Sequence, residues 1–487
     1  MKTIILYFIG LLSFSVAFGQ STADALRYSQ TNLGGTARGI GIAGAFGSLG
    51  GDFTSIGVNP AGLGIYQRGE MVVTPTLSFT ETESTYQDNV SVDNYNNFNI
   101  GNLGVVFSNN KYREGRNWKA VNFALGYNRT QNFYNRSIIE SFNSSSSLTD
   151  AYAEDAQGIA EADLLDQLPF GGGLAYWTYL IDPVADTEAD DYVSALQSSV
   201  NQRELTTTKG AVDEFLMAIA GNYKDKLYLG ATIGIPIARY QQEKIYREED
   251  ESPSTDFESF QLSEYLETTG VGINAKFGAI YRIDDTFRVG ASVHTPTLMS
   301  FDENFDSVLS SDFVSDSYRE ESPFGSFSYD LKTPWKAILS ASAIIGKKGF
   351  ISADYEFIDY RNMEFTYDSS NSDDRLFFSN LNQEINSTFQ STSNIRVGGE
   401  LALDIFRIRA GFAYCGTPFA NAESGTARKN ITAGFGIKGN DLYADLGYVY
   451  SFYDGFYQPY TLSSETVPTA SLTNTAANLA LTVGFRF

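Results

Sequence analysis

The chain ends Ala477-Asn478-Leu479-Ala480-Leu481-Thr482-Val483-Gly484-Phe485-Arg486-Phe487. Ala477, Leu479, Leu481, Val483, Phe485 and Phe487 share one face of an extended chain; Asn478, Ala480, Thr482, Gly484 and Arg486 share the other. Side chains alternate across a strand, so one face is apolar and the other small or polar. A strand between lipid and a wet lumen needs that pattern. A soluble sandwich alternates too, but turns its apolar face inward.

The pattern recurs upstream. Phe406, Ile408, Ala410, Phe412 and Tyr414 alternate with Arg407, Arg409, Gly411 and Ala413. Leu227 to Ile237, Ile351 to Phe357, Ile431 to Ile437 and Leu442 to Tyr450 behave alike. The spacing predicts strands near 70–80, 96–108, 117–131, 211–222, 226–243, 262–282, 286–300, 325–346, 349–366, 392–403, 406–417, 428–438, 441–453 and 474–487. That is fourteen, an even number as single-chain bacterial barrels have. Every second connection is short (Asn222 to Lys226, Arg282 to Thr286, Gly346 to Gly349) and the others are long and acidic. Short periplasmic turns and long outer loops have this rhythm, which puts both termini on the periplasmic side.

The counts exclude other chemistries. One His (His294) and one Cys (Cys415) leave no intrachain disulfide and no His/Cys zinc site. His294 has no evident Ser or Asp partner by spacing, so we expect a structural residue, no enzyme and no cofactor. A net charge of -24 argues against nucleic acid, whose phosphates need basic patches. The acidic excess sits in the long loops, which reads as a solvated outer surface; calcium bridging to lipopolysaccharide is the alternative.

Met1-Lys2, an apolar run from Ile4 to Val16 and Ala17-Phe18-Gly19 form a signal peptide over 1–19. A first membrane helix is the alternative, disfavoured by the short run and by Ser21, Thr22 and Asp24 after it. Residues 20–69 do not alternate and read as a plug; 70–487 read as the barrel, with a long outer loop at about 132–210. Gly39-Ile40-Gly41-Ile42-Ala43-Gly44 matches the dinucleotide fingerprint formally, but no strand precedes it and no parallel βαβ pattern follows. Its glycines suit compact backbone packed inside a lumen.

Thr36-Ala37-Arg38-Gly39, Gly44-Ala45-Phe46, Asp52, Ser55 and Asn59-Pro60-Ala61-Gly62-Leu63 resemble the N-terminal hatch of FadL-type outer-membrane transporters. Leu331-Lys332-Thr333-Pro334-Trp335 and Asp354-Tyr355-Glu356-Phe357-Ile358-Asp359-Tyr360 resemble that family's later strands. The resemblance implies an all-β, fourteen-stranded transmembrane barrel closed by a hatch, which takes up apolar molecules such as long-chain fatty acids. Asn59, Pro60, Ala61 and Gly62 are then the gate residues. A disturbed pairing near the third strand, at Asn122, Ala124, Gly126 and Asn128, would serve lateral exit. Some relatives serve as secretion shuttles, so a secretion-associated or structural barrel is the alternative; a general porin is a third reading.

An apolar cluster on an outer loop must be buried or bind something. Leu168, Phe170, Trp177 and Tyr179 are candidates for capturing a hydrophobic ligand, or for a cap that packs on itself. The inner faces of the last strands carry Asp354, Glu356, Arg396, Glu400, Arg407, Arg409, Lys438, Asp445 and Arg486, with both signs on neighbouring strands; they form an ionic lining that anchors the hatch, or Arg407, Arg409 and Arg486 guide a substrate carboxylate. The expected partners are a hydrophobic ligand, outer-membrane lipid and lipopolysaccharide, and the barrel-assembly machinery through Phe487, for a monomer.

Overall fold

The computed structural model describes residues 20–487 apart from 110–116, 185–189, 197–198, 251–255, 368, 370, 422–424 and 464–465. The signal peptide expected over 1–19 lies outside the described residues. Alternation along the chain resolves into fourteen antiparallel ring strands. They are β1 (Glu70–Tyr86), β2 (Asn89–Asn109), β3 (Trp118–Asn132, continued by Asn135–Asn143), β4 (Val200–Tyr223), β5 (Leu227–Asp250) and β6 (Phe257–Arg282). Then come β7 (Phe287–His294, continued by Leu298–Phe313), β8 (Gly325–Lys332, continued by Lys336–Ile345) and β9 (Gly349–Asp359, continued by Glu364–Thr366). The last five are β10 (Ser391–Leu403), β11 (Phe406–Cys415), β12 (Arg428–Lys438), β13 (Leu442–Tyr457) and β14 (Ala470–Arg486). Pairing of β1 with β14, Glu70 opposite Arg486, closes the sheet into a barrel.

The terminal strand behaves as its alternation requires. Leu479, Leu481, Val483 and Phe485 are exposed on the outside, whereas Ala480 and Thr482 are buried inside. The same outward row runs through Leu229, Ile233 and Ile237 on β5, then turns polar at Arg239. On β7 it runs from Phe287 to Leu298 and turns polar at Ser300 and Asp302. The apolar band therefore ends there. A spanning strand needs about 9–11 residues, and β5 has 24. Its upper half stands clear of the membrane.

Two neighbouring strands break at one level. Pro296 interrupts β7 and Pro334 interrupts β8, because proline cannot donate to the ladder. Side chains and backbone repair the gap: Thr297 N donates to Thr333 Oγ1 at 2.9 Å, and Thr333 N to Thr297 O at 3.0 Å.

Residues 20–69 fill the lumen. They form α1 (Thr22–Ser29), α2 (Ala37–Gly41), α3 (Thr54–Val58) and a 3-10 helix (Pro60–Ile65). α1 buries Ala25 and Tyr28 among Tyr240, Phe301 and Tyr329 in the upper barrel, beside a helix α7 (Ser372–Thr388) from the β9–β10 loop. The other elements sit lower and touch the wall. The connection between β3 and β4 is shorter than the sequence suggested, because β3 continues to Asn143 and β4 resumes at Val200. Its helices α4 (Leu148–Ala156), α5 (Leu164–Gln167) and α6 (Gly172–Trp177) fold over the barrel mouth as a cap.

Candidate functional site

The Asn59-Pro60-Ala61-Gly62 segment is fixed by its own chemistry. Pro60 begins the 3-10 helix, where its missing N–H costs nothing, and Asn59 caps it by accepting from Ala61 N at 3.1 Å. The Asn59 amide donates to Gly47 O at 2.6 Å within the hatch, and to Ala279 O at 3.2 Å and Ala291 O at 3.3 Å on the wall. Val58 O accepts from Ser292 Oγ at 2.8 Å and His294 Nε2 at 2.9 Å, which gives the single histidine a structural part. Ala61 and Gly62 are fully enclosed.

The wall is shaped for this contact. A Cβ on Gly278 would overlap Asn59, and one on Gly230 would overlap Pro60. Gly290 faces Gly47, Gly398 and Gly411 face Ile42, Gly434 faces Gly41, and Gly447 faces Ala37. Hatch backbone thus lies directly on strand backbone around much of the ring.

Ion pairs hold the same level. Arg409 lies 2.7 Å from Glu400 and 2.6 Å from Asp445, and is 3% exposed. Arg38 of the hatch reaches Glu400 at 3.0 Å. Arg407 stands 3.9 Å from Glu400, and Arg486 lies 2.9 Å from Glu70. Each of the three arginines proposed as carboxylate guides has a protein carboxylate partner, and none lines the cavities described next.

Above the hatch lie two adjoining cavities. The inner one, about 190 Å³, touches Gly57 and Val58 of the hatch, Asn128 to Gln131 of β3, and Lys276, His294 and Lys336. Lys276 pairs with Glu214 at 2.5 Å, and Arg396 with Glu356 at 3.0 Å. The outer one, about 1030 Å³, opens between the end of α7 and the upper parts of β11 to β14. Arg396, Cys415, Arg428, Gln30 and Thr31 line both and form the neck between them.

The loop candidates lie elsewhere. Leu164, Leu168 and Leu174 are buried in the cap, where they pack with Tyr246, Phe260 and Leu309. Phe170 packs against Phe305 with ring centroids 4.9 Å apart. Trp177 and Tyr179 remain half exposed, Tyr179 with its ring 4.5 Å from Tyr318. A polar knot ties the cap down. Glu248, fully buried, accepts from Ser147 Oγ, Leu148 N at 2.9 Å, Gln202 Nε2 at 2.9 Å and Tyr246 Oη at 2.6 Å. Burial raises its carboxyl above the usual range.

The sequence reading passed over Lys336 and Arg428. Extending the inner row of β12 back from Thr432 through Asn430 reaches Arg428, so alternation held that signal. Lys336 follows the Pro334 break, where the alternation restarts.

No protein-family model matches the chain, and no curated protein sequence does. Solved structures do match. A Pseudomonas aeruginosa FadL homologue superposes with TM-score 0.57 at 13% identity, covering 94% of this chain and 100% of its own. The Ralstonia pickettii toluene transporter TbuX gives 0.52 at 15% identity, over 94% and 100%. The Pseudomonas putida toluene transporter TodX gives 0.52 at 11% identity, over 94% and 99%. At these identities the likeness is one of fold. The chain is a plugged transmembrane β-barrel whose fold is similar to that of these structures.

Proposed function

We propose that the chain is an outer-membrane transporter for passive uptake of hydrophobic small molecules, long-chain fatty acids or similar. The carrying observation is the pair of adjoining cavities that lead inward and stop at a hatch seated on wall glycines. A general porin needs an open aqueous lumen, and this lumen is filled. Lys336 and Arg428 on the cavity walls favour a ligand with an anionic end, in a chain of net charge -24. The toluene transporters of the same fold make a neutral aromatic hydrocarbon the competing substrate.

Exit through the wall fits the β2–β3 junction. Their ladder runs from Asn109–Val121 to Asn102–Asn128 and stops there. Above it the strands are bridged by side chains, such as Asn132 to Asn97 at 3.3 Å. The inner cavity abuts β3 at this level. Lipid and lipopolysaccharide surround the apolar band, Phe487 serves barrel assembly, and the barrel works as a monomer without catalysis or cofactor.

Uptake of labelled palmitate and of toluene by a deletion strain, with and without the gene, tests the reading. Restored uptake of either supports transport. Co-purification of a large partner without uptake would favour the secretion-associated alternative, and steady high conductance the porin.

A further inference from the structure

At the end of the barrel that carries the short turns, the third strand breaks its own alternation. Val121 and Phe123 face outward, so a period of two would turn Trp118 into the lumen. A bulge intervenes: Trp118 stands opposite Tyr223 and Ala120 opposite Asn222, with Lys119 unmatched between them. The extra residue re-aims Trp118 to the outer face, as bulges do. There the indole is half exposed and covers Gly221, where a Cβ would come within 2.5 Å of it. Gly221 thus leaves the space that the ring occupies.

A small amphipathic cluster surrounds the indole. The rings of Trp118 and Tyr223 meet edge to face at 5.4 Å, and Lys224 Nζ lies 5.3 Å from the centre of the Tyr223 ring. Lys224 and Lys226 are exposed on the β4–β5 turn, which is held on both sides. Lys224 N donates to Asn117 O and Arg282 N to Lys226 O, each at 2.8 Å. Asp225, between the lysines, accepts from Asn222 Nδ2 at 2.8 Å. Among the described residues neither lysine has a carboxylate partner, whereas Lys209, Lys244 and Lys332 at the other end pair with Glu243, Glu264 and Glu364. Phe123, Ile219 and Leu229 continue the outer face toward the membrane centre as exposed apolar surface.

We propose that this cluster is a binding site for one anionic glycerophospholipid. Its phosphate lies on Lys224 and Lys226, its glycerol region against Trp118 and Tyr223, and an acyl chain along Phe123, Ile219 and Leu229. Tryptophan and tyrosine settle at headgroup level, with an apolar body and a polar edge. Lysine binds phosphate as a point charge. A zwitterionic headgroup brings its own ammonium beside the two lysines and is held less well. The long acidic loops at the opposite end repel an anionic headgroup, so the attraction is confined to this rim. Placing the site in the periplasmic leaflet rests on the rhythm of short turns and long loops. The site itself rests on the cluster and is independent of what the barrel transports.

Trp118 is one of three tryptophans, so Trp177→Phe with Trp335→Phe leaves it as the single reporter in the full chain. Its fluorescence would be read in bilayers that mix phosphatidylglycerol and phosphatidylcholine, with one or the other lipid dibrominated on its chains. Quenching should show phosphatidylglycerol preferred about fivefold or more, as two lysines at a charged surface provide. Lys224→Gln with Lys226→Gln should bring the ratio to one, and Lys224→Arg with Lys226→Arg should keep it. Heat-modifiable migration on gels confirms that each variant barrel is folded. Equal quenching by the two lipids in the chain with both lysines would overturn the proposal, and so would a preference that survives the double Gln substitution. Excess inorganic phosphate at constant ionic strength should leave the ratio unchanged. Loss of the preference in phosphate would reduce the cluster to a simple anion contact and overturn the lipid assignment.

Discussion

Asn59 Oδ1 occupies the space where a Cβ on Gly278 would have to stand. The Asn59-Pro60 motif and the barrel wall are thus complementary at this contact. Gly278→Leu should prevent the hatch from seating while β6 still pairs with its neighbours, since strand edges are untouched. Forcing extra methylenes into a packed contact costs about 1–3 kcal/mol. Planar-bilayer conductance should rise from near zero in the unaltered chain to a steady open level. A variant that stays closed would show that the hatch does not depend on this contact.

The amide of Asn59 satisfies carbonyls on both sides of the hatch boundary, Gly47 within it and Ala279 and Ala291 on the wall. Removing a partner from a buried carbonyl costs about 1–3 kcal/mol. Asn59→Ala with Pro60→Ala should lower uptake severalfold while the barrel still assembles and resists heat. Uptake equal to that of the unaltered chain would remove the gate role from this motif.

The alternation in the sequence reports the membrane band and little beyond it. The fifth strand was readable to 243, but β5 runs to Asp250, because Arg239, Gln241 and Glu243 replace the apolar outer row once lipid ends. Helix α7 escaped notice for a similar reason. Phe378, Leu381 and Ile385 make its buried stripe, but Asp373, Asp374, Asn380 and Gln383 around them read as loop. The hatch motif was legible because its turn chemistry is local. The neck was not, because Gln30 meets Arg428 and Cys415, cross-strand neighbours on β12 and β11, only once the hatch is seated in the lumen.

The docking of α1 should depend on pH. Glu303 lies above the apolar band, is 1% exposed, and accepts from Thr268 Oγ1 at 3.3 Å and Tyr329 Oη at 3.2 Å. Burial, with the nearby Asp24 of α1 adding to it, pushes its carboxyl up to about 7 from 4.5, although Arg27 opposes this. Tyr28 and Tyr240 complete the surroundings. The docked state then holds the proton that the undocked state has lost, so docking is favoured at low pH. That advantage is lost as pH rises from 4.5 through 7, by about 1.4 kcal/mol per unit. Hydrogen exchange in residues 22–29 should be slower at pH 5 than at pH 8, after correction for intrinsic rates. Glu303→Gln should flatten the difference; a profile unchanged by that substitution would assign the effect to another group.

The cap should loosen independently of the barrel. Leu174 is fully buried in one cluster with Leu164, Leu168 and Ala175. Leu174→Ala should destabilise the cap by about 2–5 kcal/mol. Limited proteolysis should then cut between 148 and 196 at least tenfold faster, with heat-modifiable migration retained. Unchanged cutting would mean that the cap is held chiefly by the Glu248 knot, and Glu248→Gln becomes the deciding variant.

Lateral exit makes a demand that passage through the hatch does not. If ligand leaves between β2 and β3, the strands must part above the last ladder pair, Asn102 with Asn128, where Asn97 and Asn132 meet through side chains alone. In a Cys415→Ser background, cysteines at 97 and 132 joined by a short thiol crosslinker would hold that gap shut without touching the hatch. Uptake should fall at least fivefold on crosslinking, well beyond the roughly 1 kcal/mol that one bridging hydrogen bond contributes. A reducible crosslinker should restore it when cleaved. Loss on crosslinking with recovery on cleavage assigns exit to the wall. Undiminished uptake through the locked seam would send the ligand past Asn59 instead, and the hatch variants above would then become the more damaging ones.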